Sequence, residues 1–271
     1  MQGQGKSAGG WARWRQLVLD CLFPPRCVGC RRRGTWLCAQ CRTGFPRVGR
    51  DSCSYCGRPA ALRSGHAVRA GRLTPQAGSR RTSWQGRTVG ASSAGSPVCA
   101  SCRRLKLALS GLFSDYYFEG VLRVAIHQLK YRGSRHLAEP LGELMLETLA
   151  TAAVPADVLV PVPLHASRLA ERGYNQSALL ADHVSQATGV PVVDGPLRRA
   201  RPTEPQMALP AVQRRANVTG AFVVQGRELA GLRVLLVDDV CTTGSTLDAC
   251  AAALRAAGCA EMWGLTLART R

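Results

Sequence analysis

Acidic residues are almost missing from the first two-fifths of the chain. Residues 1–110 hold Asp20 and Asp51 against 20 Lys/Arg, so +18 of the net charge of +19 lies there and +1 in residues 111–271. Any polyanion the protein meets is expected to meet this N-terminal part. Lysine is also scarce, since 33 of the 36 basic residues are arginine. Aromatics make up 6% of the chain, and residues 25–110 carry only Trp36, Phe45, Tyr55 and Trp84. With so few platforms for base stacking, nucleic-acid binding there would rest on phosphate contacts without sequence preference. No run approaches the ~18 apolar residues of a membrane-spanning helix. The first twenty residues carry Arg13 and Arg15 but no apolar stretch long enough for a secretory signal, so the chain reads as cytoplasmic.

Cysteine, by contrast, is plentiful and clustered. Nine of the twelve lie before residue 103, and eight of these form four CxxC pairs: Cys27/Cys30, Cys38/Cys41, Cys53/Cys56 and Cys99/Cys102. In a reducing compartment this pattern favours metal over disulfides. A CxxC turn offers two thiolates to one tetrahedral zinc, so eight ligands suffice for about two structural Zn2+ ions. The sequential assignment puts Cys27, Cys30, Cys38 and Cys41 on one ion and Cys53, Cys56, Cys99 and Cys102 on the other, with an interleaved pairing left open. Cys250 and Cys259, in apolar contexts, are expected in the core.

Three regions are expected. Residues 1–24 form an N-terminal helical arm, with Trp14, Leu17, Val18, Cys21 and Leu22 at helical spacing before Pro24 and Pro25. Residues 25–110 form a double zinc-ribbon region. It is interrupted at 60–97 by a Gly/Ser-rich insertion with six arginines and no acid, which is expected to be disordered. Residues 111–271 alternate strands and helices: strands at Phe113–Phe118, Asp157–Val162, Val190–Val193, Ala221–Val224, Arg233–Val237 and Met262–Ala268, and helices at Glu119–Tyr131, Leu137–Ala153, Asn175–Thr188 and Ser245–Ala257. Such alternation implies an α/β fold, a parallel sheet with helices on both faces.

The run Val234–Thr246, VLLVDDVCTTGST, carries the most chemistry. A buried strand delivers Asp238 and Asp239 to its carboxyl end, where open α/β sheets bind ligands. Thr242, Thr243, Gly244, Ser245 and Thr246 then open a helix whose N–H groups and hydroxyls make a phosphate cradle. Gly244 leaves room there that a side chain would fill. Carboxylates beside a phosphate site need another partner, and sugar hydroxyls with a divalent metal supply one. No lysine precedes the Ser/Thr as in a Walker loop, and the glycines of a dinucleotide fingerprint are missing.

This run resembles the PRPP loop of type I phosphoribosyltransferases. The resemblance implies that Asp238 and Asp239 hold the ribose hydroxyls and that Thr242–Thr246 bind the 5-phosphate, with Mg2+ accompanying PRPP. It also implies a pyrophosphate loop after the first main strand, matched by Arg168, Arg172, Gly173, Tyr174 and Asn175. Residues 198–217, rich in Pro and Arg, read as a mobile lid with Gln206, Arg214 and Asn217 as candidates, or as a structural loop. Relatives acting on 6-oxopurines usually carry Asp where Thr242 stands, and a threonine hydroxyl cannot serve as that base, so hypoxanthine/guanine salvage is not expected.

The CxxC pairs, VAIHQLKYRG, PVPLHASRLAERGYNQS and the DD…TTGST loop together resemble the ComF family of competence-associated proteins. That resemblance implies a zinc ribbon joined to a type I phosphoribosyltransferase-like domain and a link to uptake or use of DNA. Two functions of different class stay open. One is an enzyme that transfers phosphoribose to a nitrogen nucleophile. The other is a non-catalytic DNA-binding competence factor with a vestigial or regulatory PRPP site. Single- or double-stranded DNA and proteins of the competence machinery are the implied partners. His127, Lys130 and Tyr131 share a helix end, read either as acceptor contacts or as a solvated terminus.

Overall fold

The computed structural model describes residues 24–49, 52, 53, 55, 98–105, 107–152, 154–201 and 217–271. The N-terminal arm, the insertion 60–97, Cys56, Gln206 and Arg214 lie outside the described residues.

Two short helices, α1 (Ala39–Thr43) and α2 (Ala100–Arg103), each follow a cysteine, Cys38 and Cys99. Then come β1 (Gly111–Phe113), α3 (Gly120–Tyr131), a 3₁₀ turn at Arg135–Leu137, α4 (Ala138–Ala152), β2 (Val158–Pro161), α5 (Ala166–Arg172) and α6 (Gln176–Thr188). The order continues with β3 (Leu197–Arg199), β4 (Phe222–Val224), β5 (Arg233–Cys241), α7 (Ser245–Ala256) and β6 (Glu261–Arg269). Four strands form a parallel sheet in the order β1-β6-β5-β2. Its two faces follow from the period of two in the apolar run of β5. Leu235 and Val237 join the core beneath α3, α4 and α6, whereas Val234 and Leu236 join the core beneath α7, β3 and β4.

Four expectations need correction. The first strand lies at Gly111–Phe113, paired with Trp263–Leu265, and beyond it Tyr116 and Tyr117 make single bridges to Arg47 and Arg269. Val190–Val193 contributes one parallel bridge, Val192 to Leu159, while Leu197–Arg199 is the strand, antiparallel to β4 in a separate two-stranded sheet. The stretch read as a pyrophosphate loop contains helix α5, ended by Gly173 at φ +75°, a left-handed cap that glycine adopts without strain. Finally, β5 runs on to Cys241 because β6 stays paired with it up to Arg269, although β2 has already stopped opposite Val237.

The ribbon region packs against the α/β domain. Arg42 and Arg47 pair with Glu147 of α4 at 2.8 and 3.0 Å, and Tyr116 donates its hydroxyl to the same carboxylate at 2.6 Å. Trp36 stacks on His136 with ring centroids 3.6 Å apart. Among the described residues, no helix is long and apolar enough to cross a membrane.

Candidate functional site

The site follows from the mismatch between β2 and β5. Past Val237 one edge of β5 loses its strand partner, as the chain leaves β2 through Val162 and turns into α5. A crevice opens at the carboxyl ends of the strands, where ligands of parallel sheets bind. It is a cleft of about 470 Å³ lined by residues of α3, α5, β3, β5 and α7.

Asp238 and Asp239 lie in this cleft. Asp238 Oδ1 accepts from Ser177 Oγ at 3.0 Å and from the Asp239 amide at 2.9 Å. Asp239 is 2% exposed and pairs with Lys130 Nζ at 2.8 Å, while its second carboxylate oxygen is buried with no hydrogen-bond partner among the described residues. An orphaned buried carboxylate oxygen is costly unless a cation or a hydroxyl completes it, so the donor set fits Mg2+ or a sugar hydroxyl. Burial works to lower Lys130, but the Asp239 carboxylate outweighs it and holds the ammonium above its ordinary value. Burial, then the neighbouring Asp239 charge, pushes Asp238 up to about 7.

This value fixes a sign. Folded Asp238 keeps its proton to about pH 7, whereas the ordinary carboxyl releases it near 3.8. Without ligand, its contribution to stability therefore falls as pH rises from about 4 to 7. A ligand that needs the carboxylate behaves oppositely. A divalent cation that needs this carboxylate, with Mg2+ as the probe, is expected to bind roughly tenfold more tightly at pH 8 than at pH 6 through this group. Calorimetric titration at both pH values checks it, and Asp238→Asn should remove that share of the dependence.

The residues read as a phosphate cradle stand together at the start of α7. Gly244 caps α7 at φ +75°, and the Ser245 amide donates to Thr243 Oγ1 at 3.4 Å. Thr243 Oγ1 and Ser245 Oγ lie 2.7 Å apart, and Thr242, Gly244, Ser245 and Thr246 line the cleft. First-turn N–H groups without intrahelical partners attract anions there. A Cβ at position 244 would meet Tyr55 O at 3.5 Å and Leu112 Cδ2 at 3.8 Å, so it would point behind the loop. Gly244 is needed for its backbone angle rather than for the room it leaves for a phosphate.

The other candidates divide. Arg168 and Arg172 line the cleft, Arg168 paired with Glu171 at 3.2 Å and Arg172 bonded to Gln176 Oε1. Gly173, Tyr174 and Asn175 are not among the lining residues. Tyr174 is buried, donates to the Leu129 carbonyl and lies under the Arg135 guanidinium at 4.5 Å. Asn175 caps α6, accepting from Ser177 N at 3.0 Å while Nδ2 donates to Val162 O at 3.1 Å. Both therefore hold the turn between α5 and α6. Asn217 is also absent from the lining, and its carbonyl accepts from Arg201 at 3.1 Å.

Lys130 and Tyr131, left ambiguous in the sequence, line the cleft, and so do Gln176 and Arg199, which the site read in the sequence did not include. Lys130, Arg168, Arg172 and Arg199 set four cations against two carboxylates, which favours a ligand with more phosphate than metal charge.

Seven of the eight assigned cysteines are among the described residues, and they gather in two groups. The thiols of Cys27, Cys30, Cys38 and Cys41 lie within 4.8 Å of one another, as do those of Cys53, Cys99 and Cys102. Four sulfurs around zinc at about 2.3 Å sit roughly 3.8 Å apart, so the clusters fit that ion. Burial works to raise Cys27, but backbone N–H groups led by that of Cys38 outweigh it and lower the thiol to about 6. Burial and the neighbouring thiols push Cys41 up to about 12, the behaviour of crowded like groups that a cation relieves.

A double zinc ribbon domain family model matches residues 18–72, and a phosphoribosyl transferase domain model matches residues 175–270. Competence protein F of Haemophilus influenzae is 31% identical over 180 residues, covering 63% of this chain and 78% of its own length. DNA utilization protein YhgH of Salmonella typhi is 32% identical over 177 residues, 64% of this chain and 78% of its own. Competence protein ComFC of Bacillus subtilis is 24% identical over 242 residues, 86% of this chain and 84% of its own. Among solved structures, the allosteric regulatory enzyme of purine biosynthesis is similar at 22% identity and a TM-score of 0.36, over 52% of this chain and 30% of that one.

Proposed function

The chain belongs to the competence protein F family, and from that premise we propose that it binds PRPP or ribose 5-phosphate with Mg2+ in the Asp238–Thr246 cleft. One observation carries this reading: the Asp239–Lys130 pair, with a buried carboxylate oxygen that has no hydrogen-bond partner among the described residues, stands beside the glycine-led start of α7 in one cleft. Asp238 and Asp239 take the ribose hydroxyls and the metal. Thr242, Thr243, Gly244, Ser245 and Thr246 take the 5-phosphate, and Arg168 and Arg172 the pyrophosphate. Mg2+, when bound, neutralises pyrophosphate charge and so eases its departure from ribose C1. The chain's own residues then hold the two ends of the ligand apart and stabilise charge, with no protein nucleophile required. Gln206, Arg214 and Asn217 belong to the proposed lid.

In this reading the ribose C1–pyrophosphate bond breaks as a nitrogen nucleophile bonds to C1. A PRPP-turnover assay against a panel of nitrogen bases tests it. Wild type should release pyrophosphate with at least one base and Asp238→Asn/Asp239→Asn with none. Binding without turnover across the panel would favour the second reading, a PRPP-sensing, non-catalytic DNA-binding factor.

The same proposal divides the chain near residue 110, places about two structural Zn2+ in the N-terminal part and gives that part any contact with nucleic acid. Arg26, Arg31, Arg32 and Arg33 are exposed around the first cluster. Affinity for single- or double-stranded DNA is expected to fall steeply with salt, by roughly 10³-fold between 50 and 200 mM if about six phosphates are engaged. Comparing the full chain with a fragment beginning at Leu112 checks this, since equal DNA affinity in the fragment would contradict it.

A further inference from the structure

We propose that the second cysteine cluster braces the phosphate loop from behind, with Arg269 as the positioning residue between them. This rests on the phosphate-loop reading above and adds to it what holds the loop in place. The loop leaves β5 at Cys241, and Cys241 stands in register with Arg269 of β6. Thr270 N donates to Cys241 O at 3.0 Å, which fixes the strand end. The Arg269 side chain is 2% exposed and reaches the cysteine region. It donates to Tyr55 O at 2.8 Å and to Cys53 O at 3.3 Å. Tyr55 O in turn lies 3.5 Å from the place a Cβ of residue 244 would occupy and 4.0 Å from Cys241 Sγ.

The other side of the wedge is held as well. Tyr55 donates its hydroxyl to the carbonyls of Leu109 and Ser110, at 3.2 and 3.1 Å, just before β1. Among the described residues, Cys53 and Tyr55 belong to no helix or strand. Besides the Tyr55 hydroxyl, the Arg269 guanidinium and the position of Cys53 Sγ beside Cys99 and Cys102 tie this segment to the rest of the chain. Cys99 and Cys102 come from a distant part of the chain, and a zinc ion held by these thiolates would join the two parts. Losing the join lets Cys53 drift. The buried guanidinium then loses charge-assisted acceptors, and Gly244 loses the wall behind it.

The test uses the full chain, with three readouts: zinc per chain, hydrogen exchange of the 242–247 amides, and calorimetric titration with ribose 5-phosphate. Cys99→Ser/Cys102→Ser should lose about one zinc, speed loop exchange by roughly tenfold to a hundredfold and weaken ribose 5-phosphate to a similar degree. Cys27→Ser/Cys30→Ser should also lose about one zinc yet spare the loop's exchange. Arg269→Lys, which keeps a cation but not the fork, should retain both zincs and still loosen the loop. If the Cys99 and Cys102 variant also loses protection in α4 and α6, Arg269→Lys decides the matter. A lost second zinc with loop exchange unchanged, equal loop effects from both cysteine pairs, or an unaffected loop in Arg269→Lys would each overturn the brace. A wild-type chain that binds no ribose 5-phosphate would overturn the ligand reading instead, and exchange alone would then judge the brace.

Discussion

Lys130→Met is expected to lower stability by about 3 kcal/mol, the low end for breaking a buried pair, because Lys130 keeps some contact with the cleft. Asp239 is 2% exposed and pairs with Lys130 at 2.8 Å. Methionine fills much of the same space but leaves a buried carboxylate without its ion-pair partner. The cost is therefore that of the stranded charge, more than the worth of the pair itself. Urea unfolding measures it. Adding Asp239→Asn to Lys130→Met should restore a large part of the loss, because the stranded charge goes with it. If Lys130→Met unfolds at the wild-type midpoint, the pair is solvated and the cleft floor is not the charged base described above.

Gly244→Val is expected to weaken PRPP by about a hundredfold or more while costing the fold about 1–3 kcal/mol. The cause is the backbone angle. Gly244 sits at φ +75°, where a β-branched residue is strained, and its Cβ would press toward Tyr55 and Leu112. The loop must move, and the N–H groups that start α7 move with it. Gly244→Asn is the informative companion, since asparagine tolerates the left-handed region. It should keep most of the affinity, whereas simple occlusion of the phosphate site would make both variants equally poor. Calorimetry with PRPP separates the two.

The apolar runs made most of the fold legible. Leu122, Ala125, Ile126 and Leu129 predict the buried face of α3, and the structure buries all four. Arg233–Val237 reads as a central strand because both of its faces are covered. Its four further residues were hidden, since two adjacent aspartates look like a strand end and only the pairing with β6 carries the ladder on. The aromatic run Phe113–Phe118 has strand propensity, yet continuous pairing ends at Phe113 and single bridges follow at Tyr116 and Tyr117, as tertiary context overrides propensity. Leu197–Arg199 has too little pattern to be seen without its partner Phe222–Val224.

In the site, motif residues were legible and their partners were not. Asp238, Asp239 and the Thr242–Thr246 loop stand together in the sequence. Lys130 sits at the end of a helix far away along the chain and looks like any solvated lysine until α3 packs beside β5. Tyr174 and Asn175 lie within a stretch of ligand-like residues, but capping and a carbonyl contact engage their polar groups in the turn between α5 and α6. Spacing shows which cysteines pair locally but leaves open how the pairs combine; in the structure Cys53 meets Cys99 and Cys102 despite the long intervening segment.

The most direct measurement is calorimetric titration of Mg2+·PRPP into wild type and Asp239→Asn, with circular dichroism confirming that both are folded. Wild type should bind one PRPP per chain, more tightly with Mg2+ than without. Asp239→Asn should lose most of the Mg2+ dependence while ribose 5-phosphate still engages the loop. PRPP affinity and Mg2+ dependence that are the same in both proteins would place the ligand outside the Asp238–Thr246 cleft and contradict the phosphoribosyl reading.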